Sequence, residues 1–307
     1  MTRQQTNKNE IISVVDQLYR IGPISFIEPI HHGDWNQIYK IRADNTWVLR
    51  ISHARKQEKQ LRFELEVMTY LRSQLPVIPA IHQTRWGGCY NRYTDRFVTL
   101  FEFVSGHPIE KDQNSVQSAG ILVGRIHKAL ADYSRDHRLV NNLSTIDFNW
   151  VDNYMFSGDV FQMIKDLKPL TGVDQNLLKD ITTDLDYLRA VQERLHQWHK
   201  RHARSGCFTE SIIHGDYYSR NILTEDNQIT GVLDWDETVT DWLEYEVANA
   251  LFNFSRDDTC LDLDEVKKKI FLKAYHSQNG QITLDEEILR YMMGFRRLIE
   301  ISLDLYE

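Results

Sequence analysis

The sequence predicts an α+β fold of two lobes, a smaller sheet-rich lobe with one helix (residues 1–104) followed by a larger, mainly helical lobe (residues 105–307). Three observations lead there. Stretches of alternating or β-branched residues crowd the first third of the chain. Long stretches with apolar residues at helical spacing fill most of the remainder. One short strand-like island, residues 212–235, interrupts those helices. The chain has 307 residues, 42% apolar and 26% charged, which suits a soluble protein with a sizeable core.

Residues 24–30, 37–43 and 46–52 read as strands, the last two split by the turn signal Asp44-Asn45. A helix follows over 57–74. Further strands are expected over 78–86 and 96–104, with Gly87-Gly88 as a break between them. Beyond Ser105-Gly106 the spacing predicts helices over 115–133, 174–204, 262–276 and 284–306. There is no internal repeat and no low-complexity tract. A cleft between two such lobes is a natural place for a ligand.

Charge and cysteine usage narrow the classes. A net charge of −8 disfavours sequence-independent nucleic-acid binding, which needs clustered cations, and leans toward cationic ligands. Cys89, Cys207 and Cys260 are scattered and odd in number, so a reducing, cytoplasmic setting is expected. Residues 1–10 are polar and lack the apolar run of a secretory signal. No stretch approaches 18 uninterrupted apolar residues, so no membrane partner is expected. A monomer or homodimer is the expected state.

The island carries the chemistry. It reads His214-Gly215-Asp216, then Asn221-Ile222-Leu223, a turn, and Leu233-Asp234-Trp235-Asp236. Apolar runs bracket each polar cluster, so the acids sit on loops pinned by buried segments. Phosphoryl transfer needs such a set. One carboxylate orients the attacking hydroxyl, while an amide oxygen and a second carboxylate hold a hard cation against the phosphates. Asp, Asn and Gly also populate ordinary turns, and an isolated Asp-x4-Asn would be read that way.

The complete segment resembles the aminoglycoside phosphotransferase and choline kinase superfamily, small-molecule kinases with a protein-kinase-like fold. The resemblance implies an antiparallel N-terminal sheet, Asp216 as the catalytic base, and Asn221 with Asp234 as ligands of Mg2+. It also implies ATP, or GTP, as co-substrate and a small-molecule alcohol as acceptor. His214 shapes the loop in this reading. Asp236 either touches a second metal through water or is a turn residue.

The rest of the chain fits that expectation in order. In the strand 46–52, period-two alternation puts Val48 and Arg50 on one face and Trp47, Leu49 and Ile51 on the other. Arg50 would contact the α/β-phosphates and Val48 would cover the base. On the following helix, Glu64 falls inside the apolar stripe of Leu61, Leu65, Met68 and Leu71, so it needs a buried partner, and Arg50 is the natural one. The loop His32-Gly33-Asp34-Trp35-Asn36 would cover the nucleotide with Gly33 and Asn36, although a plain hairpin turn reads equally well. Phe101-Glu102-Phe103 resembles the family's hinge, where backbone groups of Glu102 and Phe103 would meet the adenine edge. His127 is expected as a packed histidine. The segment from Thr240 to Ala248 resembles the start of the helix that follows the metal loop in this superfamily, and Glu246 is expected to anchor that loop. His196, His199 and His202 are expected on a solvated basic helix face. The 131–173 stretch and the terminal helices would select the acceptor. No G-x-S-x-G elbow, P-loop or Asp-Phe-Gly segment occurs. A catalytically silent nucleotide sensor or scaffold on the same fold is the alternative.

Overall fold

The computed structural model describes residues 8–30, 36–136, 175–202, 208–256, 263–280, 282 and 284–306. Helix α1 (Lys8–Leu18) opens it, ahead of the first strand, where the sequence reading placed no helix. Its signal is nonetheless there. Ile11, Val14, Val15 and Leu18 recur at helical spacing and all four are buried. They pack with Ile41, Leu49, Ile51 and Val98 on the outer face of the N-terminal sheet.

That sheet is antiparallel, in the order β1 (Phe26–Pro29), β2 (Gln37–Arg42), β3 (Thr46–Ile51), β6 (Arg96–Glu102). Two short strands, β4 (Ile81–His82) and β5 (Asn91–Tyr93), pair with β6. The strand expected over 78–86 thus shrinks to two residues. Pro79 has no N–H for a ladder, and Thr84 turns the chain back by donating its N–H to the Gly88 carbonyl at 2.7 Å. In β3 the expected alternation holds: Leu49 and Ile51 pack toward α1, while Val48 packs against the inner core and Arg50 bonds to helix α2.

Helix α2 (Glu58–Arg72) covers the inner side. Its buried residues Leu61, Leu65, Met68 and Leu71 join one continuous core with Ile222, Val232 and Trp235 of the second lobe. The small lobe therefore has a core of its own only on its outer face. Its inner face shares the core of the large lobe.

The large lobe contains α3 (Gln113–Asp136), α4 (Gln175–His202), α5 (Leu243–Ser255), α6 (Glu265–Gln278) and α7 (Glu286–Tyr306). The short β7 (His107–Pro108) joins β9 (Ile222–Glu225) and β10 (Gln228–Val232) in one sheet, and β8 (Glu210–Ile213) pairs with β11 (Val239–Trp242). The segment from Thr240 was expected to begin a helix. Val239–Trp242 instead pair with Glu210–Ile213, and the helix starts at Leu243.

The histidine face of α4 also departs from expectation. His202 stacks on Trp198 at 4.4 Å and His199 lies 5.2 Å from Trp242, so these rings are half-buried among aromatics, while Lys200 and Arg201 are exposed. Among the described residues, no helix is long and apolar enough to cross a membrane.

Candidate active site

Asp216 lies in the loop after β8, and the loop is fastened from behind. Glu246 on α5, 2% exposed, accepts the backbone N–H of Gly215 at 2.6 Å and of His214 at 3.2 Å. Its carboxylate also meets His127 Nε2 at 2.6 Å, and His127 Nδ1 meets the Tyr275 hydroxyl at 3.1 Å. Burial would raise Glu246, but His127, His214 and the loop amides outweigh it and hold the carboxyl below its usual range. Both packed roles, of His127 and of Glu246, agree with expectation, except that Glu246 anchors the catalytic loop rather than the metal loop.

His214 is fully buried and bridges the two loops. Its Nδ1 accepts the Asp216 N–H at 3.2 Å, and its Nε2 donates to the Leu233 carbonyl at 2.9 Å. That pattern requires the neutral ring, and burial keeps the imidazole below its ordinary pKa. Two further bonds secure the loop. The buried Tyr217 donates its hydroxyl to the Ala119 carbonyl at 2.9 Å, and Ser219 donates its N–H to Asn253 at 3.0 Å.

The loop brings Asn221 back to Asp216. Asn221 Nδ2 donates to both the backbone oxygen and Oδ2 of Asp216, each at 2.9 Å. With the NH2 group committed to Asp216, the amide oxygen remains as the side-chain atom able to ligate a metal. The Leu233 N–H donates to the Asn221 carbonyl at 2.7 Å. That bond sets Asn221 beside the residue that precedes Asp234.

Asp234 takes a left-handed backbone, φ 60° and ψ 62°, a conformation that costs a non-glycine residue about 1–2 kcal/mol. It opens to the cleft at its surface, yet protein packs round the rest of the carboxyl. This packing first, then the charges of Asp216 and Asp236, raise it to about 6. An oxygen-rich, mutually repelling set of this kind fits a hard divalent cation, which would relieve the repulsion. No group of three or more His, Cys, Asp or Glu able to hold a metal occurs among the described residues. The donors here are one carboxylate and one amide, which leaves coordination positions to phosphate oxygens.

Arg50 and Glu64 form the expected pair, Nη2 to Oε1 at 2.5 Å, both nearly buried. Arg50 also faces Asp236 at 3.9 Å and lies over the Phe101 ring. Sequence reading missed Lys56. From the connector between β3 and α2, its ammonium reaches the backbone oxygen of Asp236 at 2.8 Å and bonds to Asp236 Oδ1. Glu64 Oε2 lies 3.0 Å from the same ammonium, an ion contact whose angle falls short of a hydrogen bond. Burial alone would raise Asp236, but Arg50 and Lys56 hold it well below the usual carboxylate range.

Asn36 is engaged at both ends of its amide. Its Nδ2 donates to Asp236 Oδ2 at 3.2 Å, and its Oδ1 accepts the His53 N–H at 3.0 Å. Gly33 lies outside the described residues, as do Cys207, Cys260 and most of the 131–173 stretch. At the hinge, the N–H groups of Glu102 and Phe103 donate to the Ala80 and Thr46 carbonyls, and the Glu102 carboxylate pairs with Arg72 at 2.7 Å. A cavity of about 510 Å³ lies there, lined by Trp47, His82, Glu102 and Phe103 but not by Val48, so it opens behind the hinge.

One further cation was missed. Arg296 on α7 donates to Asp216 Oδ1 at 3.0 Å and lies 3.8 Å from Glu237. Eighty positions separate Arg296 from Asp216, and no local pattern marks the pair.

The model of the phosphotransferase enzyme family matches residues 27–278. A homoserine kinase of Zymomonas mobilis subsp. mobilis is 23% identical over 282 residues, covering 90% of this chain and 79% of that protein. A homoserine kinase of Methylobacillus flagellatus is 22% identical over 261 residues, 84% of this chain and 72% of that one. Among solved structures, an amicoumacin kinase in complex with AMP-PNP and Ca2+ matches with a TM-score of 0.72 at 15% identity, over 97% of this chain and 86% of that one. A microcompartment-associated aminopropanol kinase matches with a TM-score of 0.69 at 18% identity, over 98% and 90%. These neighbours share the protein-kinase-like, two-lobed α+β fold.

Proposed function

Because the chain belongs to the phosphotransferase enzyme family, we propose that it moves the γ-phosphate of ATP, or GTP, to a hydroxyl of a small molecule in a magnesium-dependent reaction. The observation that carries this reading is the bonding of one amide. Asn221 ties its NH2 group to Asp216 while its backbone carbonyl holds Leu233, which supports a site where base, amide oxygen and second acid would converge. Asn221 and Asp234 would hold the metal, whose charge neutralises the phosphates during transfer.

The protein's own part is positioning. Asp216, with Oδ2 fixed by Asn221, orients the acceptor hydroxyl for in-line attack. Arg50, pinned by Glu64 and two strands removed from the rim of the sheet, offers its remaining donors to the α/β-phosphates, with Val48 on the same face. Gly33 and the hinge residues Glu102 and Phe103, through backbone groups other than the N–H donors bonded to Ala80 and Thr46, would frame the nucleotide in this reading, with Asn36 held beside it by Asp236. The lobe division at 104/105 and a cytoplasmic setting belong to it as well.

The net charge favours cationic acceptors, but the cation that meets Asp216 favours another kind. Arg296 beside the base suits an acceptor that carries an anionic group near its hydroxyl, and homoserine has both. Release of ADP should therefore be measured with homoserine, 3-aminopropanol, choline and an aminoglycoside. Turnover with any of them excludes the silent-sensor alternative. Asp216→Asn is expected to retain nucleotide binding and to lose turnover by about 10²–10⁴-fold, the usual contribution of a positioned base. Unchanged turnover would remove Asp216 from its role.

A further inference from the structure

Three side chains of the small lobe converge on Asp236 of the large one, and Lys56 is the innermost. Its side chain is 4% exposed. An ammonium has three N–H donors. Three oxygens lie within 3.0 Å of it: Glu64 Oε2, the Asp236 carbonyl and Asp236 Oδ1. Two of them take hydrogen bonds and the third is an ion contact with Glu64, and at 4% exposure the ammonium is enclosed by protein rather than turned to solvent. Arg50 differs, since its planar head carries five donors and one edge accounts for its bond to Glu64. The two cations around Glu64 therefore have separate tasks.

Asp236 is matched to this. Oδ1 faces Lys56 and Arg50, Oδ2 accepts from Asn36, and its backbone carbonyl accepts from Lys56. Its side chain is 15% exposed. Two residues earlier, Asp234 holds a left-handed backbone and is exposed at the surface. An anchor at Asp236 fixes the far end of that turn.

We propose that Lys56 is a positioning residue that clasps the small lobe to the metal loop through Asp236 and thereby sets Asp234 for its cation. Lys56 touches neither cation nor phosphate. Asp236 is an interlobe anchor rather than a ligand of a second metal, and Arg50 alone carries the phosphate contact. The inference rests on the reading that Asn221 and Asp234 hold the metal.

The test is calorimetric binding of ADP, with and without magnesium, to the full chain and to Lys56→Met. The variant is expected to bind Mg-ADP roughly 10–100-fold more weakly, the usual loss when a group that orients a metal ligand is removed. Its affinity for ADP without magnesium is expected to stay at the wild-type value. A direct phosphate contact would weaken both alike and would overturn the proposal, as would wild-type affinity under both conditions. Should the methionine variant melt early, Lys56→Gln, which keeps a polar head, is expected to give the same split. In a double-mutant cycle with Asp236→Asn, the combined loss should be no larger than the greater single loss, whereas additive losses would show that Lys56 does not act through Asp236. Wild-type protein that binds neither ADP nor GDP in either condition would defeat the kinase reading itself, a result distinct from a variant that behaves like wild type.

Discussion

The loop of Asp216 and the loop of Asp234 adjoin, but they are held in different ways. The first is tied within its own lobe: Glu246, His127 and Tyr275 form a buried chain behind it, and Glu246 is 2% exposed. The second is tied by the other lobe, through Lys56, Arg50 and Asn36 around a partly exposed Asp236. A loop held from behind is as firm as the core it hangs from. A loop held across a cleft takes its geometry from the position of the opposite lobe. Asp216 is thus held within the large lobe alone, whereas the Asp234 loop, tied to the large lobe through Leu233, also takes contacts from three side chains of the small lobe.

The largest effect expected from this contrast is on stability. Glu246→Ala strands two backbone N–H groups and a buried histidine, and it should cost about 3–5 kcal/mol, as for other broken buried ion pairs. Asp236→Ala takes one partner from a buried ammonium that keeps Glu64 and the residue-236 carbonyl, so its cost should be smaller, about 1–3 kcal/mol. Urea unfolding of the two variants measures the difference. Equal losses would break the contrast between the loops.

A smaller effect is expected where the loops touch. Gly215 has φ +87°, and a Cβ added there would stand 2.4 Å from the Glu237 backbone oxygen. Gly215→Ala therefore combines left-handed strain with a clash that rigid backbone must absorb. About 1–3 kcal/mol is expected from the overpacking. Glu246 holds Gly215 from behind, so the displacement should fall on the metal loop. Mg-ADP affinity should drop more than metal-free ADP affinity, which calorimetry can resolve. An equal drop in both would mean that the catalytic loop, not the metal loop, yields.

Much of this site was legible because it is local. Asp216, Asn221 and Asp234 lie within one strand–loop–hairpin segment, and Glu64 revealed itself by interrupting an apolar stripe, with Arg50 as its natural partner on the neighbouring strand. The clasp was not legible. Lys56 sits in an irregular connector where no periodicity assigns a face, and its partner is 180 positions away. Arg296 meets Asp216 across 80 positions, and no local spacing joins the two. Helix α1 was readable in principle from Ile11, Val14, Val15 and Leu18, but the polar residues before it masked the pattern. Pairing of Val239–Trp242 with β8 depends on tertiary contact and leaves no mark in local sequence.

The smallest effect expected concerns pH, and it separates the loops once more. His214 uses both ring nitrogens in its neutral form, and burial depresses its pKa below 6.5 although Glu246 and Asp216 push the other way. A depressed group takes its proton more readily in the unfolded chain. Its contribution to stability is therefore complete above pH 6.5 and is lost as pH falls through the folded value. One such group changes the slope by at most about 1.4 kcal/mol per pH unit. Glu246 is depressed from 4.5 and acts only at lower pH. His53, His82 and His199 are also lowered by burial, so they share the wild-type slope between pH 6.5 and 5. Urea unfolding of His214→Gln beside wild type isolates the one ring that joins the loops. The variant should be less stable at pH 7.5 but lose less on acidification to pH 5. Parallel losses would mean that His214 accepts its proton without releasing Leu233 or Asp216, and that the tie between the loops does not depend on the neutral ring.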